Sequence, residues 1–174
     1  MRDTGLARYV VSGGALTVPI LAWNVGCTRF LPPALASNEF TRDIPALVTY
    51  GENTLRVVVL GLPFLMPLEV ATAGQRRGLV LFIVGTVLYL LSWIPLMTAP
   101  QSEWSTSWPG FVGPAYTPLL WLMGLGLIGR QLYVPSPYRR WMYIALASGF
   151  AAFHITHTSI VYARNYLQAA WRSS

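Results

Sequence analysis

Residues 141–162 read WMYIALASGFAAFHITHTSIVY, an apolar run that meets the roughly 20-residue length a helix needs to cross a bilayer. The run also carries His154 and His157 among Thr156, Thr158 and Ser159. Ionisable groups at membrane depth are costly, and they face a bundle interior, a cavity or a bound group. At 3.6 residues per turn, Ala147, Phe150, Ala151, His154, His157, Thr158 and Val161 share one stripe. That stripe starts with small residues and ends with hydrogen-bonding ones. It predicts close helix packing that leads into a polar pocket.

The rest of the chain has the same character. Charged residues make up 10% of its 174 residues and hydrophobic ones 54%, whereas soluble domains carry about a quarter charged. An ordinary soluble globule is excluded, and one polytopic membrane domain over residues 1–174 is the expectation. The net charge of +6 comes from arginine alone, as the chain has no lysine. These arginines are scattered over loops rather than gathered into a basic face with interleaved aromatics, so no nucleic-acid partner is expected. A single cysteine, Cys27, excludes an intrachain disulfide and a thiolate-only metal site.

Apolar segments at residues 9–26, 55–73, 79–97, 111–128 and 141–162 predict an all-α integral membrane protein. The fold class is a five-helix transmembrane bundle with helices kinked by proline and glycine. Residues 28–54 form a long outer loop, within which 41–50 is mildly amphipathic and suits a short interfacial helix. Asn24-Val25-Gly26-Cys27 approaches a lipoprotein cleavage box, but Asn24 stands where leucine is usual, so a retained first helix is the reading. Pro63 and Pro67, four apart, each remove a backbone bond on one side of the second helix, with Glu69 following in the same turn. Residues 74–78, GQRRG, read as a tight hairpin into the third helix. Trp104 and Trp108 sit where an aromatic belt would lie. The GLGLIG tract at 124–129 has apolar neighbours and no preceding strand, which predicts helix contact rather than a nucleotide loop. An amphipathic tail is expected at 164–174.

Trp108-Pro109, Phe111, Gly113-Pro114, Tyr116-Thr117 and Leu122-Met123-Gly124 faintly resemble part of the tryptophan-rich sensory (translocator) proteins. The likeness is confined to this stretch and falls later in the chain than that family's order would place it. No family is assigned on it.

Arginine placement sets the expected orientation. Arg76 and Arg77, the loop with Arg130, Arg139 and Arg140, and Arg2 and Arg8 fall on one side if all segments span. The positive-inside tendency makes that side cytoplasmic, with the long loop, the tryptophan loop and the C-terminus outside. With this topology the 1.5 Å helical rise separates Glu69 from the histidines by about 10 Å along the membrane normal. A His–Glu69 dyad is therefore not expected, although His157 and Glu69 are the candidate catalytic groups. Residues within reach of His154 and His157 are Asn24, Glu52, Asn53, Arg56, Trp93 and Tyr116, the candidate ligand-binding set. His157, nearer the outer surface, is expected to act on the ligand, and His154 to be structural. Two histidines cannot build a di-iron set, haem ligation usually takes facing histidines on two helices, and a metal shared by His154 and His157 would need further ligands, so no metal site is expected. Soluble catalytic patterns are missing from the chain.

The function expected is binding, extending to transport, of a hydrophobic or amphipathic small molecule in a pocket facing the outer leaflet. The alternatives are an intramembrane enzyme doing acid–base chemistry on a lipid-like substrate, of the isomerase or cyclase type, and a non-catalytic subunit of a membrane complex or homo-oligomer docking through glycine faces. No cofactor is indicated.

Overall fold

The computed structural model describes residues 12–167, which are helical throughout apart from loops and an isolated bridge between Ser12 and Pro67. Five rods carry the architecture. A 3-10 turn, Gly13–Thr17, runs into α1 (Val18–Cys27) and is followed by α2 (Ala46–Gly61), α3 (Ala73–Thr98), α4 (Pro118–Ile128) and α5 (Arg140–Tyr162). Three contacts fix their directions. The Gly13 amide below α1 donates to the Met66 carbonyl at 2.9 Å. Gln75 at the start of α3 donates to the Ile128 carbonyl at the end of α4, at 3.2 Å. The Tyr143 hydroxyl at the start of α5 donates to the Val59 carbonyl near the end of α2, at 3.1 Å. The rods thus alternate up and down. We refer to the end holding residues 62–72 and 129–139 as basal, and to the opposite end as apical.

Two helices, Ala73–Thr98 and Arg140–Leu167, are long and apolar enough to cross a membrane. On α3 the outward stripe of Val80, Ile83, Val84, Val87 and Leu91 is exposed, while Phe82, Tyr89 and Trp93 are buried on the other side. A helix apolar on both faces suits a hydrocarbon surround, and this points to a membrane location.

Several boundaries differ from the sequence reading, for reasons that lie in proline and in capping. The second rod is Ala46–Gly61 rather than 55–73, because Pro45 occupies its N-cap position. Pro63 lies in a 3-10 turn, Leu62–Leu65, and residues 66–72 leave the helix, so the two prolines end the rod instead of kinking it. The stretch 41–50 is therefore no separate interfacial helix, since its second half opens α2. Residues 28–54 are likewise not a plain loop, for they hold short helical turns at Thr28–Phe30, Pro33–Leu35 and Ser37–Thr41. Residues 74–78 are not a hairpin. They begin α3, where the Thr72 side chain accepts from the Gln75 amide and the Gln75 side chain accepts from the Thr72 amide, a reciprocal cap.

The fourth segment, 111–128, is broken into single turns, Trp108–Phe111 and Gly113–Tyr116, ahead of α4. Pro109, Pro114 and Pro118 each open a new piece, where a missing N–H costs nothing. The fifth segment stands as read, and α5 continues into a π-helical turn, Ala163–Leu167. The rest of the expected tail and the start of the first segment lie outside the described residues.

The GLGLIG tract is a packing hub. A Cβ on Gly124 would fall 2.5 Å from the Phe82 amide of α3, and one on Gly126 would fall 2.6 Å from Ile144 of α5. One on Gly129 would meet the Met66 sulfur at 2.4 Å. Gly85 answers from α3, where a Cβ would lie 2.4 Å from the Trp121 amide. These glycines are used inside the chain, whereas a Cβ on Gly26 or Gly61 would meet nothing within 4 Å and would face open space.

Candidate functional site

The apical halves of α2 and α5 lie against each other because α2 presents a glycine there. A Cβ on Gly51 would fall 2.7 Å from the Phe153 ring. Beside that contact Glu52 is 1% exposed, and its carboxylate is shared by three donors. Nδ1 of His154 reaches Oε1 at 2.9 Å, and Nδ1 of His157 reaches Oε2 at 2.5 Å. The Arg56 guanidinium, one turn further along α2, also donates to Oε1. Removing one partner from a buried ionic group costs about 3–5 kcal/mol, so this cluster determines how the apical end is built.

A short cap closes over it. The turn Ser37–Thr41 places the Phe40 ring on His157, with centroids 4.1 Å apart and planes 18° from parallel. The Phe40 carbonyl accepts from Nε2 of His157 at 2.9 Å. Arg164, in the π-turn after α5, donates to the carbonyls of Glu39 and Arg42. Carbonyls at the end of a helical turn lack helical partners, and here cationic or hydrogen-bearing donors of α5 and its extension take them.

The Phe40 bond fixes a proton count. A carbonyl can only accept, so Nε2 of His157 carries hydrogen. The contact between Nδ1 and Oε2 then needs a second proton, on the imidazole or on the carboxyl. In both forms the Glu52–His157 pair is neutral as a unit. Arg56 and His154 on the other oxygen favour the carboxylate–imidazolium form.

Two adjoining cavities, of about 280 and 370 Å³, lie below and beside the cap. Arg56, Tyr89, Trp93, Pro114 and His154 line both. All five rods contribute to the first, with Asn24 from α1, Leu60 from α2, Trp121 from α4 and Phe150 from α5 among its walls. The second is roofed by Leu31, Leu35 and Phe40. The Tyr89 hydroxyl donates to Oδ1 of Asn24 at 2.5 Å, tying α3 to α1 across the chamber. Trp121 is 4% exposed, and its indole N–H has no partner among the described residues. A buried donor left unmet costs about 1–3 kcal/mol, and the indole N–H groups of Trp23 and Trp93 are buried in the same state.

The structure brings Asn24, Arg56, Trp93 and His154 to the cavity walls and sets Glu52 directly behind His154. Asn53 is exposed, and its Oδ1 accepts from Arg56 at 3.3 Å. The burial of the two histidines runs opposite to the expectation. His157 has a 4% exposed side chain locked between Glu52 and Phe40, whereas His154, at 21%, lines both cavities. The cap formed by residues 37–41 shields the residue nearer the helix end. Tyr116 is not at this site. The break at Pro118 turns it outward, where it donates to the Pro109 carbonyl at 2.9 Å and lines an open groove with Leu88 and Trp104. Glu69 is exposed at the basal end, far from the histidines and outside any helix. Phe40, Tyr89 and Trp121 went unread as site residues. Tyr89 and Trp93 fall one turn apart, a spacing that marks the inner face of α3. Among the described residues no group of three or more histidine, cysteine or acidic side chains is arranged to hold a metal.

No family model, curated protein or solved structure matches this chain.

Proposed function

We propose that this chain is a polytopic membrane protein that binds a hydrophobic or amphipathic small molecule in the chamber beneath the cap. The observation that carries the reading is the chamber itself. It is walled mainly by aromatic and aliphatic residues from five rods, and of its few polar groups Asn24, Arg56, Tyr89 and His154 lie toward the cap, with Thr17 at the basal end. Ligand sites have this composition, mostly apolar with a small number of placed polar groups. Binding at the apical end also suits passage of the ligand from the outer leaflet.

In this reading α3 and α5 cross the bilayer as single helices, and the shorter rods cross it together with the helical turns that adjoin them. Their alternating directions support it, as do Arg76, Arg77, Arg130, Arg139 and Arg140, all exposed at the basal end. By the positive-inside tendency the basal end faces the cytoplasm. The cap and the C-terminus then lie outside.

Native mass spectrometry of the protein extracted in mild detergent tests the binding. A retained molecule at one per chain is expected. Leu21→Trp, which fills the wall of the first cavity, should expel it while the protein stays folded. A chain that carries nothing, with or without the substitution, would refute the reading.

A second reading, acid–base catalysis on a lipid-like substrate, draws on His154 alone. Its Nδ1 is held by Glu52 while the ring lines the cavity, the arrangement of a base oriented by a carboxylate. Conversion of a retained lipid, abolished in His154→Gln, would distinguish catalysis from binding.

A further inference from the structure

We infer that the ligand of this chamber carries an anionic head, held by Arg56 with His154 beside it; the inference rests on the binding reading above. Arg56 stands one turn from Glu52 and donates to its carboxylate, which taken alone would neutralise it. The proton count removes that compensation. Glu52 and His157 form a unit that is neutral in either form, since the Phe40 carbonyl obliges Nε2 of His157 to carry hydrogen. His154 offers its Nδ1 hydrogen to Oε1 and brings no negative charge of its own. The charge of the guanidinium is left over.

Among the described residues nothing else facing the chamber cancels it. α1 contributes Asn24, α3 contributes Tyr89 and Trp93, and α4 contributes Trp121, all uncharged. On the cap, Glu39 and Asp43 lie against Arg42, at 3.0 and 3.6 Å. The Arg56 side chain is 40% exposed and lines both cavities, so a head group can reach it. Carboxylate and phosphate oxygens accept from a guanidinium and from an imidazole N–H, the donors that Arg56 and His154 bring to the wall. The apolar part has its own wall, since Leu60 lies one turn basal of Arg56 and Ile20 and Leu21 one turn basal of Asn24. The ligand class is a single-chain amphiphile with its anionic head toward the cap and its chain running down between α1 and α2.

The test compares heads on one chain. The full-length protein in discs of zwitterionic lipid would be titrated with dodecanoate, methyl dodecanoate and dodecyl phosphate. The two anions should bind at least about tenfold tighter than the ester, the range of one charge-assisted hydrogen bond. The better of the two identifies the head as carboxylate or phosphate. Arg56→Gln should bring all three within about threefold, and Arg56→Lys should restore much of the preference. Equal binding of ester and acids to the unmodified protein overturns the anionic head and leaves the chamber reading standing. Saturable binding of none overturns the chamber reading as well. A preference that survives in a folded Arg56→Gln protein overturns the role of Arg56.

Discussion

Nε2 of His157 donates to the carbonyl of Phe40 at 2.9 Å, so a backbone group of the cap sets the protonation of a side chain on α5. This bond explains why the histidine nearer the helix end is the buried one. It also explains why Glu52, 1% exposed, tolerates its position.

The bond makes the two histidines unequal in stability. His157→Gln breaks a contact to a buried carboxylate and the tie to the cap, and should cost about 3 kcal/mol. His154→Gln, at a partly open cavity wall, should cost about 1 kcal/mol or less and act on binding instead. Thermal unfolding of both variants in the same detergent checks the order. Equal losses, or a larger loss from His154→Gln, would contradict it.

Nitrogen-15 spectra read the proton count directly. With histidine labelled, both ring nitrogens of His157 should bear hydrogen near neutral pH, or show one hydrogen strongly shared at Nδ1. His154 should carry hydrogen on Nδ1. A His157 ring without hydrogen on Nε2 would be incompatible with the Phe40 contact.

Packing between α3 and α4 gives a prediction independent of the site. Gly85→Ala would drive a methyl group to 2.4 Å from the Trp121 amide, and a backbone atom cannot yield as a side chain can. A loss of about 1–3 kcal/mol is expected. Gly61→Ala has nothing within 4 Å and should be neutral or slightly stabilising. Paired melting curves separate the two.

Orientation is accessible to cysteine labelling in a Cys27→Ser background. Ser136→Cys, exposed in the basal loop, should react with an impermeant reagent only after the membrane is opened. Gln101→Cys, exposed at the apical end, should react in intact cells. The opposite pattern would reverse the orientation and put the cap on the cytoplasmic side.

The stripe ending at His154 and His157 was legible because helical periodicity needs only local spacing. Glu52 could be placed within reach of it by counting rise along antiparallel rods. What escaped were features set by backbone chemistry at segment ends. Pro45 marks the start of α2, but the apolar run from which a span is read begins only after Glu52, Asn53 and Thr54. Thr72 and Gln75 spell a capping box, but GQRRG drew the eye as a turn. The cap over His157 was out of reach of any local rule. It depends on Phe40 meeting a residue far along the chain, through a carbonyl that no side-chain pattern records. Tyr116 was misplaced because a helix drawn straight through Pro114 and Pro118 carries the wrong phase.

The chamber is tested most directly by its own tryptophans. Trp93 and Trp121 line it, so a bromine-tipped amphiphile bound there should quench part of the fluorescence saturably, at about one molecule per chain. In the folded Trp93→Phe, Trp121→Phe protein that saturable part should vanish, leaving only the linear quenching of lipid-facing indoles. Quenching that is linear throughout in the unmodified protein, or a saturable component unchanged by the double substitution, would contradict binding in the chamber.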